Sequence, residues 1–350
     1  MRLSHGYPVD SRIFQPIDSK LLSNGADTLS TREFATGVNC TMLVPYTPDN
    51  HIDYHALDKM VEWYVDRGCT SLFAMCHSTE LHKLTMEERL GVIRFVSEKS
   101  KALTTIHGRR PDVIAAGTFS TDLPAMAEEI QMVSAAGADA VVWITNRLDP
   151  EHRGNDYWLK NAKKLLGMIP EHIALGFYEC PQPYKRLLTL EDIRWAVSTE
   201  RFYFIKDTCC DPGMLRQRLE IVRGTHLKLF NANAQTLLET LRQGAAGYSS
   251  VMANIHPELY AWLCDNFEQY PEIADHLQHV LCFTSFVESL SYPLIAKYIM
   301  RQQGVPVEIS SRVREKEEFT PYHAFIMDQL ADLTRYEYKR LPGTLTHLWQ

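Results

Sequence analysis

One lysine, Lys206, lies between an apolar run and an aspartate in the segment FYFIKD (202–207). A lysine amine can attack a carbonyl carbon and form a Schiff base, which then acts as an electron sink while a carbon–carbon bond is made or broken. The attack needs a neutral amine, so the pKa must fall by roughly 3 units from about 10.4, which costs about 4 kcal/mol. Burial beside Phe202, Phe204 and Ile205 could supply that desolvation. The alternative is a strand-end charge paired with Asp207, and the segment alone favours neither interpretation.

Eight short apolar runs, separated by stretches of helical period, predict the elements that would position this lysine. Near-continuous apolar runs are typical of strands that are buried on both faces. Eight strand-then-helix units predict an α/β fold, a (β/α)8 TIM barrel, because parallel strands need helical crossovers. A doubly wound sheet is the main rival, but it seldom has eight such even repeats. The predicted strands are residues 38–45, 69–76, 112–118, 139–145, 173–180, 202–207, 226–231 and 247–252.

The sequence predicts three regions along the chain. Residues 1–37 lack sustained periodicity and are rich in Ser, Asp, Gly and Pro, which predicts an irregular N-terminal arm. Residues 38–255 form the predicted barrel, with no Pro-, Gly- or Ser-rich linker inside it. The pattern is purely helical after residue 256, so residues 256–350 are predicted to be a C-terminal helical subdomain and tail.

Composition excludes several kinds of partner. A net charge of −7 provides no basic surface for nucleic acid, and no apolar stretch is long enough to predict a membrane span. The eight cysteines show no CxxC spacing and favour a reduced, cytoplasmic protein. The pairs His51/His55 and His276/His279 have helical spacing but no third ligand at motif spacing, so no metal site is predicted.

In a TIM barrel the active site lies at the C-terminal ends of the strands, so the residues there are the candidates for function. Several polar side chains follow the predicted strands and would converge on one mouth around Lys206. They are His77, Ser78 and Thr79 after strand two, Arg147 after strand four, Tyr178 and Glu179 after strand five, and Ser250 after strand eight.

An ordered set of segments carries a family resemblance. It includes CHSTELHKLTMEER (76–89), FYECP (177–181), FIKD (204–207), GAAGYSSVMANIHPEL (244–259) and YPLIAKYIMRQQG (292–304). In this order they resemble the dihydrodipicolinate synthase / N-acetylneuraminate lyase family of Schiff-base (β/α)8 enzymes, over about residues 38–305. The resemblance implies that Lys206 forms the imine without any cofactor, that Tyr178 takes part in catalysis, and that the substrate is a small 2-oxo acid. It also implies a homo-oligomer, a dimer or a tetramer.

The chain departs from that family after strand two. The usual Gly-Thr-Thr-Gly-Glu signature, which holds the carboxylate of the 2-oxo acid, reads Cys-His-Ser-Thr-Glu at residues 76–80. Ser78 keeps a hydroxyl at the second threonine, and with Thr79 it is expected to bind the substrate. His77 replaces the first threonine, and its imidazole could donate to a carboxylate or shuttle a proton. The alternative is a loop histidine without a catalytic part.

The larger departure follows strand four, where the family usually presents a tyrosine for proton transfer. Here residues 144–154 contain no tyrosine, and Arg147 falls at or beside the position. An arginine cannot act as a general base, but it binds carboxylates and its charge would help to keep Lys206 neutral. A solvated loop arginine is the alternative. After strand five, Glu179 replaces an asparagine and adds a candidate base or substrate ligand, whose direction the sequence leaves open.

These features predict a Schiff-base-forming lyase, aldolase or dehydratase that acts on pyruvate or another 2-oxo acid through Lys206. Two alternatives stay open: a catalytically impaired 2-oxo-acid-binding protein of the same fold, and dihydrodipicolinate synthase proper.

Overall fold

The computed structural model describes residues 33–344 and residue 348, and in them eight parallel strands close into a barrel in chain order. All eight predicted strands form, which confirms the TIM barrel. Each is buried, as the apolar runs require. The strands are β1 Gly37–Thr41, β2 Cys69–Met75, β3 Asp112–Ala116, β4 Ala140–Ile144, β5 Leu175–Tyr178, β6 Phe202–Asp207, β7 Lys228–Asn231 and β8 Gly247–Tyr248.

A helix follows each strand and covers the outside of the barrel. Several helices begin at a side chain that accepts a hydrogen bond from the first turn, as Thr85 does within a reciprocal capping box with Glu88. The helices are α1 Tyr54–Asp66, α2 Met86–Lys101, α3 Leu123–Ala135, α4 Asn155–Leu166, α5 Leu190–Thr199, α6 Pro212–Val222, α7 Leu237–Arg242 and α8 Pro257–Asn266.

The C-terminal region is helical, as its pattern predicts, and consists of α9 Pro271–Thr284, α10 Leu294–Gln302 and α11 Pro321–Arg340. Helix α8 packs against β1, β2 and β8 and completes the eighth barrel repeat. The helical pattern after residue 256 therefore starts within the barrel, and the division at 255/256 stays a prediction. Residues 1–32 of the predicted arm lie outside the described residues. No helix of the described residues is long and apolar enough to cross a membrane.

Strand β6, which carries Lys206, contains a local irregularity that decides which of its side chains face the barrel interior. Leu175 of β5 pairs with Phe202, but the next residue, Gly176, pairs with Phe204, so the pairing skips one residue. Phe202 consequently lies outside the barrel, with its ring 5.5 Å from that of Trp195 on α5. The expectation that Phe202 helps to desolvate Lys206 is therefore wrong, and Phe204 remains on the inner face.

A buried histidine in the connection before α8 makes the stability of the fold depend on pH. His256 is fully buried beside Thr334 of α11, and burial lowers its pKa to about 3. Between that value and the unfolded value near 6.5, the unfolded chain binds more protons than the folded one, so stability falls as the pH drops. We expect protonation of this histidine in the unfolded chain to lower the free energy of unfolding by about 2 kcal/mol between pH 7 and pH 5. Urea unfolding of the wild type and of His256→Gln at both pH values measures this. The change in the free energy of unfolding between pH 7 and pH 5 should be smaller in the variant by that amount.

Candidate active site

Lys206 lies at the C-terminal end of β6 and is 5% exposed. Its Nζ is 4.6 Å from the ring centroid of Tyr178 and 5.7 Å from that of Phe73. Tyr178 is also its partner in the register of β5 with β6. Burial lowers the pKa of Lys206, and nearby thiols and Glu288 oppose that shift only in part. Within the part of the chain that the structure describes, the amine forms no hydrogen bond or ion pair.

Asp207, the next residue, points to the opposite face of the sheet. Its carboxylate pairs with Arg218 of α6 and accepts a hydrogen bond from the Cys209 backbone N–H at 2.8 Å. The interpretation of Lys206 as a strand-end charge paired with Asp207 is therefore wrong. Successive residues of a strand face opposite sides, which leaves the lysine inside the barrel and the aspartate outside.

Tyr178 provides the hydroxyl group beside the lysine. Its side chain is 2% exposed, and its ring meets that of Phe73 edge to face with 5.4 Å between centroids. Burial raises the pKa of the phenol well above its ordinary value, and a hydrogen bond from the His77 backbone N–H works in the opposite direction. The phenol therefore keeps its proton at neutral pH and can act as a donor near Lys206.

A cavity of about 390 Å³ opens beside the loop that follows β2. Two predicted residues, His77 and Ser78, line it together with residues from the C-terminal region that sequence analysis did not single out. Its lining is His77, Ser78, Glu80, Glu288, Ser289, Leu290, Tyr292, Pro293, Val313 and Arg314. A larger cavity of about 770 Å³ lies between α10 and α11 and contains none of the predicted site residues.

Tyr292 connects this cavity to the barrel through hydrogen bonds. Burial raises the pKa of its phenol, and the neighbouring Ser78 side chain opposes that rise. Asn254 Nδ2 donates to Tyr292 Oη at 3.0 Å and to the carbonyl of Thr41 at 2.8 Å. Asn254 thus fixes the position of the Tyr292 hydroxyl, which lies beside Ser78. The only sequence signal for Tyr292 was its position at the start of a family-like segment beyond the barrel.

Glu288 is the carboxylate that acts electrostatically on Lys206. It lies in a 3-10 turn over Ser285–Ser289 and lines the cavity with His77 and Ser78. Burial raises its pKa, and the charge of Lys206 lowers it. The sequence offered no motif for this residue, because it reaches the mouth from a segment outside the eight repeats.

Arg147 and His77 both lie at the mouth, where they meet a residue that the sequence analysis missed, His82. Arg147 Nη2 is 3.5 Å from His82 Nδ1, and the rings of His77 and His82 are 6.0 Å apart. Burial lowers the pKa of His82 to about 4, with a further contribution from Arg147. Burial also lowers the pKa of His77, as does the charge of Lys206. Both imidazoles are therefore neutral at pH 7, and each has one donor and one acceptor nitrogen.

Glu179 points away from the lysine. Its carboxylate is fully buried, accepts hydrogen bonds from the backbone N–H groups of Leu188 and Thr208 at 2.7 Å each, and lies 2.9 Å from Arg218 Nη1. Burial and the Asp207 carboxylate raise its pKa. All of these contacts lie on the outer side of the sheet, where a substrate at Lys206 would not reach, so the geometry gives no support to a substrate-binding role.

Two further predicted substrate ligands, Thr79 and Ser250, are buried and lie outside the cavity lining. Thr79 is fully buried, and its Oγ1 donates to the Cys76 carbonyl at 2.6 Å while accepting from the Cys76 N–H at 3.0 Å. Ser250 is 7% exposed, and its side chain makes no capping hydrogen bond to the 3-10 turn Val251–Asn254 that follows it. Thr79 therefore fixes the turn that carries His77 and Ser78, whereas neither residue lines the cavity.

Comparisons with known proteins agree with this architecture. A family model described as the dihydrodipicolinate synthetase family matches residues 34–317. The 4-hydroxy-tetrahydrodipicolinate synthase of Psychrobacter arcticus is 24% identical over 289 residues, which cover 81% of this chain and 90% of that protein. A probable 2-dehydro-3-deoxy-D-pentonate aldolase, YjhH of Escherichia coli, is 26% identical over 272 residues, which cover 74% of this chain and 84% of YjhH.

Among solved structures, the fold is similar to that of YagE from Escherichia coli K12, a prophage protein of the dihydrodipicolinic acid synthase family in complex with pyruvate. The TM-score is 0.73 at 20% identity, with 85% of this chain and 98% of YagE covered. At this identity the likeness shows the fold.

Proposed function

Because the chain belongs to the dihydrodipicolinate synthetase family, whose members are lyases and aldolases, we propose that it forms a Schiff base between Lys206 and pyruvate or another 2-oxo acid. The observation that carries this proposal is the environment of Lys206. The amine is buried at a strand end, contacts Tyr178, has a lowered pKa and forms no ion pair among the described residues. A merely structural lysine in such a place would be expected to have a carboxylate partner.

The geometry supports a division of roles. In the proposed reaction, the Lys206 amine attacks the C2 carbonyl carbon of the oxo acid, and the carbonyl oxygen leaves as water after proton transfer. Tyr178, protonated and next to the amine, donates toward that oxygen. The resulting imine takes up the electron pair when a bond at C3 is broken. It returns the pair when a group is eliminated or when a new bond at C3 is made. No cofactor takes part.

The 2-oxo acid carboxylate is assigned to the cavity beside the loop after β2. Ser78 and Tyr292 line this cavity together, next to the neutral His77. His77 is in a position to move protons between this cavity and Lys206, whose charge affects its pKa. Assembly into dimers or tetramers and a cytoplasmic location belong to the same proposal and are supported by the family alone.

The proposal is tested by trapping the imine. Incubation with pyruvate and borohydride reduces a Schiff base to a stable secondary amine, and mass spectrometry then locates the modified peptide. We expect one reduced pyruvyl group per chain, on Lys206. If neither pyruvate nor any other small 2-oxo acid gives an adduct, the proposed mechanism fails.

A second candidate function, a 2-oxo-acid-binding protein without turnover, is favoured by the region after β4. The 3-10 turn Thr145–Leu148 presents Arg147 to the mouth and no tyrosine. Thermal stabilisation by 2-oxo acids without product in long incubations would favour this alternative. Steady turnover of a hydroxy-oxo acid would exclude it. Condensation of pyruvate with aspartate semialdehyde would identify dihydrodipicolinate synthase proper.

Substitution of Ser78 tests the carboxylate site separately from the lysine. A hydrogen bond to a charged group is worth about 1.5–3 kcal/mol, so Ser78→Ala should raise KM for the oxo acid roughly 10- to 150-fold with a smaller effect on kcat. The matched control is Ser289→Ala, which changes an exposed serine that lines the same cavity. Equal effects of the two substitutions would contradict the assignment.

A further inference from the structure

Two histidines and one cysteine lie close together at the barrel mouth. One ring nitrogen of His77, one of His82 and the Cys180 sulfur all lie within 4.8 Å of one another. They come from two connections of the barrel. The histidines lie on consecutive 3-10 turns after β2, His77–Thr79 and Leu81–Lys83, and the cysteine follows β5. The fold therefore brings a cysteine close to two histidines that precede it by about 100 residues in the chain.

We propose that His77, His82 and Cys180 bind one borderline-soft divalent cation of the Zn²⁺ type at the mouth of the barrel. The donor set carries the proposal, because imidazole with thiolate selects Zn²⁺ and its neighbours over Mg²⁺ or Ca²⁺. Three protein ligands with a fourth position left open to water are typical of accessible zinc sites. No sequence motif marks the site, because its ligands share no helix and no CxxC or HxxxH spacing.

The geometry needs only a small contraction to hold the ion. Bonds of about 2.0–2.3 Å in a tetrahedron place ligand atoms roughly 3.5 Å apart, so atoms now within 4.8 Å must approach by about 1 Å. His77 and His82 are exposed on short turns and can rotate, whereas Cys180 is fully buried and provides the fixed ligand. The exposed histidines also provide the path from solvent. On binding, the thiol releases its proton to water as the metal–sulfur bond forms, and no oxidant or reductant is needed.

Cationic groups around the cluster oppose the ion and lower its affinity. Arg147 Nη2 lies 3.5 Å from His82 Nδ1, and the ammonium form of Lys206 interacts electrostatically with Cys180. Removing the Arg147 charge should therefore tighten binding, and we expect Arg147→Met to bind the metal more tightly than the wild type. This outcome would not follow if the histidines and the cysteine were neighbours without a shared ligand.

Cobalt provides a direct readout, because tetrahedral Co²⁺ has visible absorption bands and a near-ultraviolet band when a thiolate is bound. The full-length protein, first treated with a chelator, is titrated with Co²⁺, and Zn²⁺ is then added to displace it. We expect one Co²⁺ per chain with a thiolate band that Zn²⁺ abolishes. Cys180→Ser should lose the thiolate band, and His82→Gln should weaken binding by more than about tenfold.

The control variants change residues of the same type outside the cluster. Cys210→Ser removes an exposed thiol and His279→Gln an exposed histidine, and both should bind Co²⁺ as the wild type does. Absence of a thiolate band in the wild type, or its persistence in Cys180→Ser, would overturn the proposal. Because Cys180 is buried, the urea midpoint of its variant is measured as well, and the exposed His82→Gln keeps the proposal testable if that variant unfolds.

A consequence for activity rests on the proposed function, whereas metal binding does not. An ion held by His77 and Cys180 would block access to Lys206, so Zn²⁺ should prevent borohydride trapping of pyruvate, and a chelator should restore it. Trapping without Co²⁺ binding would overturn the metal site alone. Co²⁺ binding in a protein that never forms an adduct would overturn the proposed function alone.

Discussion

Replacing Lys206 with methionine is expected to abolish the borohydride-trapped adduct and to lower turnover by about a thousandfold or more. Methionine has a similar length and no amine, so the substitution removes the nucleophile and leaves the packing against Tyr178 and Phe73 nearly unchanged. Both quantities are measured on the same preparation, the adduct by mass spectrometry and turnover by release of pyruvate from a hydroxy-oxo acid.

Lys228→Met is the matched control. Lys228 begins β7, at the opposite end of the barrel from the mouth, and donates to the Phe34 carbonyl while lying 3.7 Å from Glu33. Its removal should leave the adduct on Lys206 and the turnover close to wild type. Full adduct formation in Lys206→Met, on any other lysine, would contradict the assignment.

The stability of Lys206→Met separates lost chemistry from lost structure. The pKa of Lys206 is lower in the folded protein than in the unfolded chain, so between the two values the unfolded chain binds more protons. Stability contributed by this residue therefore rises with pH and is least at neutral or lower pH. Methionine removes the penalty of burying an ammonium group, so the inactive variant should be at least as stable as the wild type at pH 7 in urea.

The barrel could be predicted from the sequence because its determinants are local. Eight apolar runs with helical stretches between them allow few topologies, and parallel strands bring their C-terminal ends to one edge. The sequence alone therefore predicts that Lys206 and the polar residues after the other strands share one mouth, among them His77, Ser78, Tyr178 and Arg147. Strand alternation alone did not give the direction of Phe202, because the skipped residue in the pairing with β5 reverses its face.

The parts that sequence analysis missed depend on contacts between distant segments. Tyr292 and Glu288 reach the cavity from the region after the barrel, and only tertiary packing shows that they approach Ser78 and Lys206. His82 lies on the next 3-10 turn after His77, and no sequence motif marks it as a site residue. The sequence leaves the direction of Glu179 open, because its partner Arg218 is 39 positions later on α6 and draws the carboxylate outward.

Arg218 is the site of the second large effect, which is expected on stability. Its side chain is fully buried, lies 2.9 Å from Glu179, pairs with Asp207 and donates to the Leu188 carbonyl. It is therefore the cation that balances two buried carboxylates behind the lysine strand. Removing one partner of a buried ion pair costs about 3–5 kcal/mol because it leaves an uncompensated charge, so we expect that loss for Arg218→Met in urea unfolding at pH 7.

Arg216→Met provides the control, since Arg216 is exposed on the same helix and its loss should change stability by less than about 0.5 kcal/mol.

The pH dependence identifies the cause of the stability loss in Arg218→Met. Without Arg218, the Glu179 pKa, already raised by burial and by Asp207, should rise further. A carboxyl group whose folded pKa is raised stabilises below its unfolded value and loses that contribution as pH rises. The defect of Arg218→Met should therefore be smaller at pH 5 than at pH 8, whereas a loss of packing alone would be equal at both. A smaller defect at pH 5 would show that Arg218 stabilises the fold by balancing the buried charges behind β6, the strand that carries Lys206.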